Sequence, residues 1–429
     1  GKPMPALNPM PPDALAQLLP SLRERFERFQ QAGLNLDLTR GKPCQAQLDL
    51  SSPMLSVVTA DDYRAADGTD CRNYGGLDGL PEAKALFADY MGVALDEVII
   101  GGNASLTLMY DTFMRAMLMG VGTGEPPWSK LPGVRFLCPS PGYDRHFAIC
   151  ANLGIEMLPV DMTPEGPDME TVEKLVAEDE AIKGIWCVPL FSNPTGDVYS
   201  DETVARLAQM PTRATDFRIF WDNAYAAHHF AGEPPAQTHI LTACKAAGVP
   251  ERPLLFGSTS KISFPGGGLA LMAGSARNMD WVRGQLFFQT IGPDKLNQLR
   301  HVRFFRNLEG IRQHMQKHAA IVRPRFEAVE TILTRELAGK GLAEWTRPRG
   351  GYFVSFDTQD GCAQAVVAMA REAGVKLTPA GATYPLGQDP RDRNIRIAPT
   401  FASLEDVEAA VEVLAVCTQI VTIQKQLTI

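Results

Sequence analysis

Short apolar runs alternate with amphipathic stretches between about residue 97 and residue 275. Leu106–Met119 and Asp201–Gln209, which lie between such runs, have the spacing of helices. Strands that alternate with helices in this way predict an α/β fold, with a mostly parallel sheet sandwiched by helices. The predicted strands are Glu97–Ile100, Val134–Cys138, Ile155–Val160, Ile182–Leu190, Phe217–Trp221, Leu254–Gly257 and Leu269–Gly274.

The pattern differs at both ends of this region. An amphipathic helix is predicted over Leu15–Ala32, and a helix-rich stretch over Asp294–Leu337. The elements predicted after it are a strand over Gly351–Phe356, a helix over Ala363–Ala373, a strand over Asn394–Ala398 and a long helix over Leu404–Gln424. This order is typical of a smaller α+β domain. We therefore expect a large domain over residues 51–310, a small domain over residues 311–429, and an N-terminal segment, residues 1–50, that packs with the small domain.

Composition narrows the class of protein. A chain of 429 residues with 45% apolar and 21% charged residues is long enough for two ordinary globular domains. Its formal net charge of −8 argues against a nucleic-acid partner or an anionic membrane surface, and no run approaches a membrane span. The eight scattered cysteines include no C-x-x-C pair, and the proline-rich start lacks an apolar signal core, so we expect a cytoplasmic protein.

Residues suited to a ligand site follow five predicted strands, and ligands of open parallel sheets bind beyond the carboxyl ends of strands. Each segment alone is explained by a turn, a helix cap or packing. Together they offer small residues for an anion, an aromatic ring, an oxygen ligand, a buried carboxylate and a lysine, which are the parts of a pyridoxal phosphate (PLP) site. The segments are Gly101–Ser105, Pro141–His146, Ser192–Gly196, Asp222–Tyr225 and Ser258–Lys261.

These motifs also occur in the chain order of the fold-type I PLP-dependent aminotransferases, which the sequence resembles from Leu38 to Phe401. The motifs S-N-P-T-G, D-N-A-Y and S-T-S-K, followed by R-I-A-P-T-F, carry the resemblance. In particular, the chain is similar to bacterial aspartate aminotransferases and to the aminotransferase-like domain of MocR-type regulators. The resemblance implies a transferase of amino groups with PLP as cofactor.

The resemblance also assigns roles around the cofactor ring. Lys261 matches the lysine that holds PLP through a Schiff base and carries the transferred proton. Asp222 matches the partner of the pyridine nitrogen, Tyr225 and Asn193 match the groups at the ring hydroxyl oxygen, and Tyr143 matches the residue that stacks on the ring. The residues that match phosphate ligands are Ala104, Ser105, Ser258 and Ser260.

Other positions match substrate and subunit contacts. Arg396 matches the arginine that binds the substrate α-carboxylate, a task that suits its planar guanidinium. Asn193 also matches a residue that binds the substrate, and Gly41 matches a loop that closes over the substrate carboxylate. Tyr74 matches a tyrosine that reaches the phosphate of the neighbouring subunit, which implies a homodimer.

Two features remain open. The family's phosphate-binding arginine falls here at Gly268 or Leu269, so the phosphate charge must be met in another way. The leading hypothesis is transamination of aspartate with 2-oxoglutarate. The alternatives are aromatic amino acids, 2-aminoadipate, PLP lyase chemistry, or a MocR-like sensor domain without turnover, against which the acidic charge and the lack of a winged-helix module argue. The candidate ligands for a second carboxylate are Arg40, Lys42, Arg72, Arg145, Lys295 and Arg300, with Lys295 and the Arg40–Lys42 loop preferred.

No metal site is expected. His314 and His318 have the spacing of a helical metal pair, but no third ligand accompanies them, and we expect solvated helix histidines. The pair at His228 and His229 is expected to serve packing. Tyr352 and Phe353 are predicted to lie on a strand near the mouth of the site, with a mainly structural role.

Overall fold

The computed structural model describes residues 10–428, and its helices account for most of the regular structure. The α-helices are α1 (Pro12–Ala16), α2 (Leu19–Gln31), α3 (Gln45–Ser51), α4 (Pro81–Met91), α5 (Ser105–Met119), α6 (Asp144–Asn152), α7 (Met169–Glu178), α8 (Asp201–Gln209), α9 (Ile240–Ala246), α10 (Ala276–Leu286), α11 (Lys295–Phe305), α12 (Leu308–Leu337), α13 (Ala363–Glu372) and α14 (Leu404–Leu427). Short 3₁₀ turns occupy Ser52–Ser56, Leu95–Glu97, Trp128–Lys130 and Pro385–Gly387.

The strands form three sheets. They are β1 (Leu36–Asp37), β2 (Val98–Ile100), β3 (Arg135–Ser140), β4 (Glu156–Thr163), β5 (Gly166–Pro167), β6 (Ile182–Cys187), β7 (Arg218–Asp222), β8 (Pro253–Ser258), β9 (Ala270–Ala273), β10 (Ala343–Trp345), β11 (Val354–Thr358), β12 (Val375–Lys376) and β13 (Asn394–Ile397). The large sheet has the order β2-β9-β8-β7-β6-β3-β4-β5, and the smaller sheets are β10-β11-β13 and β1-β12.

The large sheet contains all seven strands predicted from the apolar runs, and the α/β fold class is confirmed. Strands β4, β3, β6, β7 and β8 are parallel neighbours. Strand β9 is antiparallel to both β8 and β2, so β2 runs in the same direction as β8. The carboxyl ends of β2, β3, β6, β7 and β8 therefore lie along one edge of the sheet, and the candidate site residues follow these ends.

Alternate residues of the central strands belong to two different apolar cores, because successive side chains of a strand point to opposite faces. On β7, Ile219 and Trp221 pack in one core while Phe220 packs in the other. The second face contains an aromatic cluster in which Phe220 lies 4.7 Å from Phe113, and Phe113 lies 5.1 Å from Trp186, between ring centroids. Helices cover both faces, and the sheet provides a rigid base for the edge that carries the site.

A separate core joins the C-terminal elements to the N-terminal helices. It includes Leu15 and Leu22 of the first two helices together with Leu414 of α14. We propose that this core defines the small domain, and that the boundary expected near residue 310 lies within α12, between Met315 and Val322. Met315 of that helix packs with the core of the large sheet, whereas Val322 packs with the small-domain core. Residues 1–9 of the predicted N-terminal segment lie outside the described residues.

Two predicted elements differ in detail. The helix predicted over Leu15–Ala32 is divided into α1 and α2. Pro20 then lies in the first turn of α2, where the missing N–H of proline removes no helical hydrogen bond. The strand predicted from Gly351 begins instead at Val354, because Gly351 has a φ of +82° in a turn that precedes the strand.

Among the described residues, every helix is too short or too polar to cross a lipid bilayer.

Candidate active site

A cavity of about 380 Å³ opens at the carboxyl edge of the large sheet. The structure brings all of the sequence-predicted site residues to its wall, with the exception of Tyr74. The lining residues are Gly41, Ala104, Ser105, Leu106, Met109, Tyr143, Asp144, Arg145, Val188, Asn193, Asp222, Ala224, Tyr225, Ser258, Ser260, Lys261, Phe353 and Arg396. Segments that are far apart in the sequence therefore converge on one small volume.

Lys261 projects into this cavity from the turn that follows β8. Its Nζ lies 5.0 Å from the centroid of the Tyr225 ring and 5.5 Å from that of Tyr352. Burial lowers the pKa of the Lys261 amine, with opposing contributions from Tyr143 and Asp222. A lowered pKa increases the fraction of neutral amine, which is the form that attacks a carbonyl carbon.

The backbone around Lys261 is held by three histidines. His228 Nε2 lies 3.3 Å from the Lys261 carbonyl oxygen, and the Nε2 atoms of His314 and His318 lie 2.8 and 3.1 Å from the Ile262 carbonyl oxygen. His314 and His318 are buried, so the expectation of solvated helix histidines is wrong. The spacing of i and i+4 places both rings on one face of α12, and this face packs against the loop that carries Lys261.

Asp222, the last residue of β7, is buried, and only one of its two carboxylate oxygens has a hydrogen-bond partner among the described residues. Its Oδ2 accepts a hydrogen bond of 2.8 Å from His146 Nε2, whereas its Oδ1 is buried without a partner among the described residues. The His146 ring is stacked on Trp186 with a centroid distance of 4.0 Å, which fixes its orientation. Because a buried carboxylate oxygen without a partner is costly, Oδ1 is suited to a cationic or N–H-donating ligand.

Tyr143 and Tyr225 supply hydroxyl groups to the cavity. Burial raises the pKa of Tyr143 to about 12 and raises the pKa of Tyr225 further, so both hydroxyls are neutral donors near neutral pH. The Tyr143 ring also contacts His146 edge-on, with a centroid distance of 4.8 Å. Both phenols can therefore donate to a ligand oxygen, and Tyr143 presents an aromatic surface beside the histidine partner of Asp222.

The side of the cavity near α5 is suited to an anion. Ala104 is the N-cap residue of this helix and Ser105 its first residue, so free backbone N–H groups lie at the cavity wall. The hydroxyls of Ser258 and Ser260 line the same cavity. Among residues 10–428, Lys261, Arg145 and Arg396 are the only basic side chains in this lining.

The position of the missing family arginine is tightly packed. A Cβ at Gly268 would lie 2.8 Å from the Phe264 carbonyl oxygen and 3.0 Å from Thr259 Oγ1. Thr259 Oγ1 also accepts a 2.8 Å hydrogen bond from the Leu269 N–H, which ties the loop to β8. Arg300 lines a second cavity of about 540 Å³ that is bounded by this glycine-rich loop. An arginine at position 268 would therefore clash with the backbone unless the loop moved.

Arg396 enters the cavity from β13 of the small sheet. Its Nη1 lies 3.5 Å from Asn193 Oδ1 and 3.8 Å from Asp144 Oδ1, and its Nε is buried without a partner among the described residues. The guanidinium also lies over the Phe353 ring, 4.6 Å from the centroid. These long contacts leave most of the donors of Arg396 available to a carboxylate.

Gly41 lies against the Phe353 ring, which also contacts Arg396. A Cβ at position 41 would lie 2.3 Å from Phe353 Cζ, so any larger residue there would displace the Phe353 ring. The Phe353 ring contacts both Gly41 and Arg396 and lies in the cavity wall, and the mainly structural role expected for it stays a prediction.

Tyr74 lies away from the cavity of its own chain. Its side chain is 81% exposed, and its backbone N–H donates to Asn73 Oδ1. Any role of this tyrosine at a cofactor site thus requires a second chain.

His146 has a role that the sequence analysis does not assign to it. The residue belongs to the predicted segment after β3 and follows Tyr143 by three residues. That spacing places both side chains on one face at the start of α6, and it is the signal that could have paired them. The contact with Asp222, however, joins the first turn of α6 to the end of β7, and the sequence alone does not pair these segments.

Taken together, the wall is suited to a planar ring that carries a phosphate group and a protonated ring nitrogen. The unpartnered Oδ1 of Asp222 matches the nitrogen, the start of α5 matches the phosphate, and the amine of Lys261 lies close to the Tyr225 ring in the same cavity. The free donors of Arg396 match a carboxylate. The residues present thus fit a pyridoxal phosphate group and an amino acid.

Comparison with known proteins agrees with this chemistry. The family profile described as "Aspartate amino-transferase" matches residues 10–428. An aspartate aminotransferase of Corynebacterium glutamicum is 45% identical over 396 residues, which cover 92% of this chain and 91% of that protein. The crystal structure of an aspartate transaminase from Corynebacterium glutamicum has a TM-score of 0.95 and 42% identity, and covers 98% of this chain and 99% of that one.

A more distant structure shares the fold. The α-aminoadipate aminotransferase of Thermus thermophilus, complexed with N-(5'-phosphopyridoxyl)-L-leucine, is 19% identical with a TM-score of 0.73, and covers 96% of this chain and 98% of that one. At this identity only the architecture is compared.

Proposed function

Because the chain belongs to the aspartate aminotransferase family, we propose that it transfers the amino group of aspartate to 2-oxoglutarate with PLP bound at Lys261. The chain is thus an aminotransferase, and the proposal adds the substrate pair and the cofactor. The observation that carries the proposal is the unpartnered Oδ1 of Asp222 in the same cavity as the Lys261 amine and the free donors of Arg396. A PLP group together with an amino acid uses all three.

Each residue has a defined task in this proposal. When bound, PLP supplies an electron-accepting ring that stabilises negative charge at the substrate α-carbon. Lys261 Nζ holds the cofactor and moves the proton at the α-carbon, a task that its lowered pKa favours. Asp222 stabilises a protonated ring nitrogen, and His146 keeps the carboxylate in place. Arg396 orients the α-carboxylate with its paired donors.

The phosphate is proposed to bind at the start of α5. Backbone N–H groups at Ala104 and Ser105 lie at the positive end of the helix dipole, and the hydroxyls of Ser258 and Ser260 can donate to phosphate oxygens. This arrangement supports anion binding without an arginine at position 268.

The substrate proposal predicts a clear preference in an amino-donor panel. With 2-oxoglutarate as acceptor, we expect kcat/KM for aspartate to exceed that for alanine and phenylalanine by about 10²-fold or more, because a site built for a second carboxylate rejects analogues that leave it unpaired. Measurement of the 2-oxo acid formed from each donor tests this. A preference for a neutral donor, or no amino transfer from any donor, would contradict the proposal.

We also propose that the enzyme is a homodimer in which Tyr74 reaches the neighbouring site. Tyr74 is 81% exposed, and its neighbour Gly75 accepts a 2.7 Å hydrogen bond from Lys295 Nζ. The chain also exposes Phe287 and Phe288, which are 73% and 82% accessible. Exposed apolar groups of this size are typical of interfaces.

Light scattering of the purified holoenzyme should give the mass of two chains. In the same experiment Tyr74→Phe should remain dimeric but lose PLP faster on dialysis, because the hydroxyl donor to the neighbouring phosphate is removed. A monomer that retains PLP as firmly as the wild type would be inconsistent with a shared site.

For the location, we propose the cytoplasm. All eight cysteines are free and buried, which is typical of proteins in a reducing compartment.

A further inference from the structure

A dicarboxylic substrate needs a second cation besides Arg396, since a desolvated carboxylate without a partner is strongly disfavoured. Two of the six candidates from the sequence form ion pairs with aspartates at the surface. Arg40 Nε contacts Asp37 Oδ2 at 3.2 Å with half of its side chain exposed, and Arg72 Nη2 contacts Asp70 Oδ2 at 2.8 Å with 56% of its side chain exposed. Both lie outside the cavity lining.

Three other candidates also lie outside the lining. Lys295 is buried, and its Nζ donates to the Gly75 carbonyl oxygen at 2.7 Å. Lys42 Nζ lies over the Phe401 ring, 4.5 Å from its centroid. Arg300 lines the second cavity, which is bounded by the glycine-rich loop. Within one chain, none of the three lines the space beside Lys261.

Arg145 is the remaining candidate, and it lines the cavity itself. It is the second residue of α6, placed between Tyr143 and His146. Its side chain is exposed and makes no hydrogen bond or ion pair with any residue between 10 and 428. An arginine without a partner at the mouth of a cavity is available to a ligand anion, and its planar fork matches a carboxylate.

Asp144, which lies between Tyr143 and Arg145, shows where Arg145 lies relative to Arg396. Asp144 Oδ1 lies 3.8 Å from Arg396 Nη1, so the first turn of α6 adjoins the α-carboxylate site. Tyr143, the residue that the family resemblance assigns to the cofactor ring, precedes Asp144. Arg145 therefore belongs to the segment 143–145, in which Tyr143 is assigned to the ring and Asp144 contacts the proposed α-carboxylate ligand Arg396.

We propose that Arg145 binds the distal carboxylate of a dicarboxylic substrate, from the same subunit whose Arg396 binds the α-carboxylate. This inference rests on the proposed function and makes it more specific. It places the selection between acidic and neutral substrates on α6 rather than on Lys295 or on the Arg40–Lys42 loop. Aspartate, glutamate and 2-oxoglutarate all carry the second carboxylate, so one residue serves both halves of the reaction.

The test compares Arg145→Gln with matched variants of the holoenzyme. Arg145→Lys keeps the charge, Arg396→Lys changes the other carboxylate ligand, Lys295→Gln removes the competing candidate, and Arg23→Gln removes an exposed arginine of α2 outside the cavity lining. For each protein, kcat/KM is measured with aspartate and with alanine. The dissociation constant of succinate, a dicarboxylate without an amino group, is measured by calorimetry.

For Arg145→Gln we expect kcat/KM for aspartate to fall by about 20- to 100-fold, with a similar weakening of succinate binding, whereas alanine changes by less than about threefold. Arg145→Lys should recover part of the loss. Arg396→Lys should reduce aspartate and alanine alike, and Arg23→Gln should match the wild type.

Equal losses for aspartate and alanine in Arg145→Gln would overturn the inference, because they would indicate a structural role. A selective loss in Lys295→Gln with none in Arg145→Gln would also overturn it and would assign the second carboxylate to Lys295 across a subunit interface. A wild-type enzyme that prefers alanine would refute the proposed substrate itself, and this result is visible before any variant is made.

Discussion

Lys261→Ala should abolish the visible absorbance of the purified enzyme and lower kcat by more than about 10³-fold. The conjugated bond between the lysine and the cofactor, which absorbs visible light, cannot form without the Lys261 amine. In the proposed function the same variant also removes the group that moves the proton at the α-carbon, and loss of such a group alone costs about 10²- to 10⁴-fold. Both effects follow from the position of Nζ beside Tyr225 in the cavity.

The covalent attachment gives a readout that does not depend on activity. After borohydride reduction, intact-mass measurement should find one cofactor per chain in the wild type and none in Lys261→Ala. Lys174→Ala, which removes an exposed lysine of α7, serves as the matched control and should be labelled fully. A labelled Lys261→Ala protein would locate the attachment at another lysine.

The lowered pKa of Lys261 adds a pH dependence to the attachment. Because burial lowers this pKa, the neutral amine is present at lower pH than for an ordinary lysine. The rate at which the cofactor-free protein takes up PLP should therefore rise with pH through a midpoint below the usual range of lysine. A midpoint at the ordinary lysine value would mean that Nζ is solvated in the cofactor-free protein.

The sequence predicted the large sheet and most of the cavity wall for a simple physical reason. Buried parallel strands are apolar on both faces and are bounded by turns, so their ends are visible as changes in composition. Helix α8 matches its predicted range because Ser200 caps its start, accepting a hydrogen bond from the Thr203 N–H. Residues that follow buried strands could thus be assigned to one edge of the sheet.

What the sequence could not predict depends on contacts between distant segments. The bond between His146 and Asp222 joins α6 to β7, and the burial of His314 and His318 depends on the loop at Ile262. A histidine at helical spacing has the same pattern whether it faces solvent or a loop. Local pattern carries no information about which of these partners is present.

The choice among six cations was open for the same reason. Arg40, Arg145 and Lys295 are all basic residues near predicted turns, and only the fold distinguishes them. In the structure Arg40 contacts Asp37, and Arg145 lines the cavity. Lys295 donates a hydrogen bond to the Gly75 carbonyl oxygen. The availability of a charge is a property of its surroundings, so it becomes visible only when those surroundings are known.

Asp222→Asn should lower kcat by about 10²- to 10³-fold while most of the PLP remains bound. An asparagine keeps the shape of the side chain but removes the negative charge that stabilises a protonated ring nitrogen, and loss of one such electrostatic contact costs about this much. Lys261 and the phosphate contacts at α5 are unchanged, so the covalent attachment should persist. Steady-state kinetics and the PLP content of the purified variant measure the two effects separately.

Thermal unfolding distinguishes an electrostatic role of Asp222 from a packing role. In the cofactor-free protein the buried Oδ1 has no partner among the described residues, so replacing the carboxylate by an amide should leave Tm unchanged or raise it. Addition of PLP should then raise Tm less in Asp222→Asn than in the wild type, because only the carboxylate gains a charged partner. His146→Phe, which keeps a ring beside Trp186 but removes the hydrogen bond to Oδ2 and leaves the charge of Asp222, should lose less activity than Asp222→Asn. Near-normal turnover in Asp222→Asn, or a large loss of Tm in its cofactor-free form, would show that the carboxylate serves the fold rather than the ring nitrogen.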